Sequence, residues 1–372
     1  MGGDSSDIAV FLVVLTLRFV IPLFIPRFPL PAILAALVLD AADQTIFQQF
    51  TNLDLDGYQN YDKALDIFYL TIAFLAVYRN WTNTSAINVA RFLWYYRLVG
   101  VWLFEVFQQR WILFVFPNTF EYFFIAYAAI RTQWDPRRLT HRAVIGLAAF
   151  IWIFIKLPQE WWIHIAQNDF TDFMKVDIFG TTPTTSWADA ITNRPAVTIA
   201  LIAAIAVVVG VAVWLYRKAP SRDWSFRVDV DKPIPYDDIA DRPQKPLWIA
   251  PAFAEKLLLV GLIAAIYVSV LDVGTPVYRI IIGTVLIIGA SVAVSELLAR
   301  RGIEWSSVGI AFVVLAAVNS AVIGLYAALL GNDVNRSLVL FFGLLLTTVV
   351  VLYDRFLGER ITNPRSREQV HL

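Results

Sequence analysis

Three groups of ionisable residues in this chain have the types and spacing to do chemistry. The first is Arg18, Arg97 and Glu121, each set inside an apolar stretch. A charge inside hydrocarbon costs roughly 2.5–3.5 kcal/mol on insertion scales, so each of these residues needs a partner or water. At a rise of about 1.5 Å per residue, all three fall near the middle of their stretches. Two guanidinium groups and a carboxylate at one depth read as an anionic binding site, with the arginines holding a phosphate or carboxylate bidentately, or as a charge-coupled pathway. They would serve equally well as a salt-bridge staple joining three helices. Arg79 and Arg91 lie toward the ends of their stretches, where long side chains reach the interface.

The second group is acidic. The run DAADQTIFQQFTNLDLDGYQNYDKALD carries Asp40, Asp43, Asp54, Asp56, Asp62 and Asp66. Asp62 and Asp66 are four apart and share one helical face. The stretch from Asn52 to Gly57 starts like a calcium loop, but Lys63 stands where that loop needs a bidentate glutamate. Oxygen ligation of a divalent cation and a solvated loop turning at Asp56-Gly57 both fit this run. The third group lies in KLPQEWWIHIAQNDFTDF, where Glu160 and His164 are four apart on an expected helix. They are the candidate catalytic acid/base pair. With Asp62 and Asp66, or with Asp169 or Asp172, His164 is also a candidate metal ligand. Trp161 and Trp162 in the same run read as an aromatic belt at headgroup level.

No zinc-protease, serine-hydrolase, Walker A, kinase or dinucleotide fingerprint occurs. The runs DAADQ and NLDLDG are similar to aspartate-rich stretches of lipid transferases. The DG-x-x-AR core of the CDP-alcohol phosphotransferases is missing, so that activity does not carry over. The KLPQEWWIHIAQ segment resembles one found in uncharacterised multi-pass membrane proteins of actinobacteria. That resemblance implies a bacterial plasma membrane and no particular activity.

The elements that must position these groups follow from composition. Hydrophobic residues make up 58% of the chain and charged residues 16%, with a mean hydropathy of +0.63, which is the signature of an integral membrane protein. Basic and acidic residues balance at 30 each, leaving no net field to recruit nucleic acid. There is no cysteine, hence no disulfide, thiolate ligand or cysteine nucleophile. The start, MGGDSSDIAV, lacks a basic region and a cleavage site, so a retained helix is expected.

A crossing needs roughly 20 mostly apolar residues. By that measure the fold class is all-α: a polytopic transmembrane bundle of about ten helices, over about 8–25, 63–79, 87–107, 110–131, 142–157, 196–216, 253–272, 277–299, 305–330 and 336–356. Pro22, Pro26, Pro29 and Pro31 break the apolar run that continues past the first crossing, and 31–39 reads as re-entrant or interfacial. Basic loops after the fourth, sixth and eighth crossings and a basic tail all fall on one side, which predicts both termini in the cytoplasm. Residues 40–62 and 158–195 then lie outside.

Texture divides the chain into an aromatic, charge-bearing bundle (1–216), a polar linker (217–250), an apolar four-helix bundle (251–357) and a tail (358–372). No internal repeat is evident. Transport or lipid handling across the plasma membrane is the leading functional expectation, with the lipid bilayer and an anionic lipid or lipid-linked substrate as partners. A membrane-embedded enzyme at the outer leaflet and a scaffold subunit within a membrane complex are the alternatives. A divalent cation is the one cofactor the residues suggest.

Overall fold

The computed structural model describes residues 5–51, 58–136, 139–168, 170–218, 251–271, 308–329 and 336–361, with scattered positions over 282–290. The expected crossing at 277–299 falls largely outside them, as do the calcium-like run 52–57, most of the linker and most of the tail. Among the described residues the secondary structure is entirely helical. The helices are α1 (Ser5–Val20), α2 (Pro29–Phe50), α3 (Tyr58–Asn80), α4 (Thr84–Phe107), α5 (Trp111–Val115) and α6 (Thr119–Arg131). After these come α7 (His141–Ile165), α8 (Trp187–Asn193), α9 (Pro195–Lys218), α10 (Pro251–Leu271), α11 (Val308–Leu329) and α12 (Arg336–Ile361).

Among the described residues, three stretches are long and apolar enough to cross a membrane: Ser6–Phe24, Trp111–Arg131 and His141–Ile165. A fourth joins α8 to Pro195–Val211 across a 98° bend. The helices between them are long but carry charge. At 23 residues, α3 bears Asp62, Lys63, Asp66 and Arg79; at 24 residues, α4 bears Arg91, Arg97 and Glu105. Such helices reach across about 30 Å of hydrocarbon only if their charges turn inward to partners.

The prolines near the start make a hairpin, not a short re-entrant turn. A single 3-10 turn, Ile21–Phe24, follows α1, and Pro29 and Pro31 then stand in the first turn of α2, where a missing N–H leaves no helical bond unmade. The chain returns over all 22 residues of α2. Asp40 and Asp43, expected in an outer loop, are therefore inside a helix.

This extra helix changes the topology. The Asn80 side chain donates to the Pro26 carbonyl at 3.0 Å, and Arg79 donates to the same oxygen. The Asn83 side chain donates to the carbonyls of Pro136 and Leu139, both at 3.0 Å. The turns after α1, α3 and α6 therefore meet at one end of the bundle. Glu255, at the start of α10, accepts from Arg91 at 3.0 Å and from Tyr78. Next to it, Lys256 meets Asp354 near the end of α12 at 2.7 Å. The C-terminal end of α12 thus joins the basic turns, whereas α1 starts at the opposite end, where Phe11 packs on Phe47 and Tyr61. The expectation of both termini on one side is corrected: counting one helix too few through the proline region inverted the first helix.

The core is continuous across both halves of the chain. Phe74 on α3 contacts Tyr78, Trp94, Tyr95 and Phe120, and Tyr267 of α10 donates to the Ala64 carbonyl at 3.2 Å. Lipid removes the hydrophobic drive between helices, so close packing and aromatic pairs worth about 0.5–1.5 kcal/mol each hold them together. Cysteines introduced one at a time at Ser6 and Thr82, both exposed, are expected to react with a membrane-impermeant maleimide from opposite faces of sealed vesicles. Reaction of both from the same face would contradict the hairpin.

Candidate functional site

Arg18 stands in the last turn of α1 with its side chain 3% exposed. Spacings of three and four residues place Asp40 with Asp43 on one face of α2, and Asp62 with Asp66 on one face of α3. The Arg18 guanidinium donates to all four carboxylates, to Asp66 at 2.6 Å. A guanidinium carries five donors in a planar fork, which is why one residue can bridge so many acceptors. One guanidinium thus serves four carboxyl groups. Asp43 is sealed in, while Asp62 and Asp66 keep 40% and 42% of their side-chain surface exposed. Oxygens of Asp40, Asp62 and Asp66 lie within 4.8 Å of one another. An all-oxygen set of that spacing suits a hard divalent cation.

A second polar centre surrounds a break in the crossing made by α5 and α6. Pro117 interrupts the helix between Val115 and Thr119, and the backbone groups it releases find side chains. The Tyr96 hydroxyl donates to the Val115 carbonyl at 2.9 Å, and Arg97 donates to the Phe116 carbonyl at 3.0 Å. The Asn118 backbone N–H donates to Glu160 at 3.2 Å. Gly100 makes room for this, because a Cβ there would lie 2.1 Å from Cβ of Phe116. In hydrocarbon, irregular backbone survives only when it is satisfied inside the protein in this way.

The two carboxylates at the break are held by donors from four directions. Glu121 accepts from the Tyr69 hydroxyl at 2.6 Å and from the Asn118 side chain at 2.9 Å. Glu160 pairs with His164 at 3.0 Å and lies 3.6 Å from Lys156. Two π-helical turns in α7, Ile151–Lys156 and Trp161–Ile165, flank Glu160, and such turns re-aim side chains and gather at functional sites. Two polar atoms at the break have no partner: the Thr119 hydroxyl, in a residue 1% exposed, and Oδ1 of Asn118.

The expected joint network of Arg18, Arg97 and Glu121 is therefore divided. Arg18 gathers the aspartates, Arg97 caps the broken helix, and Glu121 sits between Tyr69 and Asn118. The expected metal set divides as well, since Asp62 and Asp66 meet Asp40 while His164 pairs with Glu160. Asp169 lies outside the described residues. Arg91 and Arg79, expected to reach the interface, are held by Glu255 and the Pro26 carbonyl. The reading from sequence missed Tyr69, Asn118 and Lys156. Pro117-Asn118 inside an apolar run was the available signal for a broken helix.

Comparison with protein-family models, curated proteins and solved structures finds no match to this chain.

Replacing Arg18 by Ala leaves four carboxylates without their shared cation, and loss of one partner of a buried ion pair costs about 3–5 kcal/mol. A large fall in melting temperature in detergent is expected, with only partial recovery in Arg18→Lys. Gly100→Ala is expected to destabilise the protein and Phe116→Gly to restore most of the loss, because the clash is with the Phe116 side chain. Independent, additive effects in the double variant would show that this contact is not what Gly100 permits.

Proposed function

We propose that the chain is a multi-pass protein of the bacterial plasma membrane that moves a polar or charged solute, or a lipid headgroup, across the bilayer. The observation that carries this reading is the broken α5/α6 crossing, whose interior break is ringed by Arg97, Lys156, Glu121 and Glu160. Discontinuous helices near mid-membrane are a common means of presenting helix ends and unpaired polar groups to a cargo. The unpartnered Thr119 hydroxyl and Asn118 oxygen lie at such a place.

Adding α2 to the ten apolar stretches gives about eleven crossings, and an odd number agrees with ends on opposite sides. Arg27, Arg79, Arg131, Arg142, Lys256 and Arg355 belong to turns and helix ends on the α12-terminal side, so that end faces the cytoplasm and the N-terminus faces out. The outer-leaflet enzyme reading keeps its Glu160–His164 pair at 3.0 Å but lacks the convergence of His164 with Asp62 or Asp66, which gather on Arg18.

Because the chain has no cysteine, Thr119→Cys is a unique reporter of access. In vesicles it is expected to react with an impermeant maleimide added from either side, as alternating access requires. Reaction only after denaturation would mean a sealed staple in a scaffold and would sink the transport reading.

A further inference from the structure

The carboxylates at the helix break are surrounded by proton donors, not by other oxygens. Both oxygens of Glu121 accept a hydrogen bond, from the Tyr69 hydroxyl at 2.6 Å and the Asn118 amide at 2.9 Å. Both oxygens of Glu160 do the same, from the Asn118 backbone N–H at 3.2 Å and from His164 at 3.0 Å. A metal ion would have to displace these donors to reach the lone pairs. A proton needs only to be exchanged along them. The His164 side chain is 17% exposed while that of Glu160 is 6% exposed, so the imidazole is the more accessible end. At the other end Tyr69 lies three residues, one helical turn, from Asp66. Asp66 belongs to the group in which four carboxylates share the single Arg18 charge.

Resting on the transport reading, we propose that the proton is the coupling ion of this protein and that it binds at Glu160 and Glu121 from the His164 side. The imidazolium of His164 gives its proton to Glu160 and becomes neutral. Lys156 lies 3.6 Å from Glu160 and within electrostatic reach of Glu121. Its ammonium can pass a proton to one carboxylate and recover one from the other. Protonated Glu121 exchanges with the Tyr69 hydroxyl, 2.6 Å away. Each transfer moves one proton from a donor oxygen or nitrogen to an acceptor oxygen or, at Lys156, to the amine nitrogen, and no other reactant is required.

The groups that set the affinity come from every helix around the break. Arg97 of α4 faces Glu121, Glu160 and Lys156, and Asp40 of α2 faces Glu121 and Tyr69. Tyr122 of α6 faces both glutamates and lies under the Lys156 ammonium, 4.4 Å from its ring centroid. Asp62 and Arg18 complete the Asp66 end. Arg97 and Lys156 are the cations that face the two glutamates, so a proton bound there changes the charge at the break.

The full-length protein in proteoliposomes, adsorbed on a solid-supported membrane and exposed to a pH jump without added cargo, tests this. A transient charge displacement is expected, reduced to the protein-free level in Glu121→Gln and diminished in Tyr69→Phe and His164→Gln. Each variant is first shown to be monodisperse and to melt as the parent does. Displacement absent from the parent, unchanged in Glu121→Gln, or evoked by a sodium jump at constant pH would overturn the proposal. Absence of displacement in a protein whose Thr119→Cys variant still labels from both sides would remove the proton alone and leave transport standing.

Discussion

A helix that stops inside hydrocarbon leaves carbonyl and N–H groups with no water to receive them, and the arrangement around Pro117 follows from that constraint. Val115, Phe116 and Asn118 each have a backbone group that would otherwise be orphaned, and each is met by a side chain from another helix. Tyr96 and Arg97 must therefore face α5, and Gly100 must lie one turn beyond them with no side chain of its own. Glu160 must come up from α7, which brings Lys156 and His164 with it. The polar centre is thus a consequence of satisfying one broken helix, and its charges are paired because each was recruited to a defined backbone group or to a neighbour of one.

The Arg18 cluster follows a different logic. A crossing with one arginine becomes tolerable when a neighbouring hairpin offers carboxylates at the same depth. Here α2 and α3 offer two each, so the cation is over-supplied with acceptors. The guanidinium fork fixes the rotation of three helices at once, since each pair of aspartates lies on a single helical face. The side chains of Asp62 and Asp66 remain partly exposed, while that of Asp43 is sealed. The cluster therefore has a closed side at Asp43 on α2 and an open side on α3.

Between the two centres runs Tyr69. Its hydroxyl reaches Glu121 from α3, the helix that also carries Asp62 and Asp66. A phenol in that place is an apolar ring with one polar atom, which lets it lie in an aromatic core and still reach a carboxylate.

Helical class and the apolar length of the candidate crossings were determined by the sequence alone, because apolar length and the scarcity of charge are local properties of the chain. The single basic end was legible for the same reason, as Lys and Arg cluster in short turns. What tertiary structure decided was partnership. Arg18, Arg97 and Glu121 were expected at one depth, and depth without rotation cannot say which face of each helix meets which neighbour. The proline region shows the same limit: Pro22 and Pro26 announce a break, but whether the chain turns back fully depends on α2 finding α1 and α3 to pack against. Asp40 and Asp43 looked like loop residues until that packing was known, because an aspartate within a crossing is tolerable only when its cation is supplied by another helix.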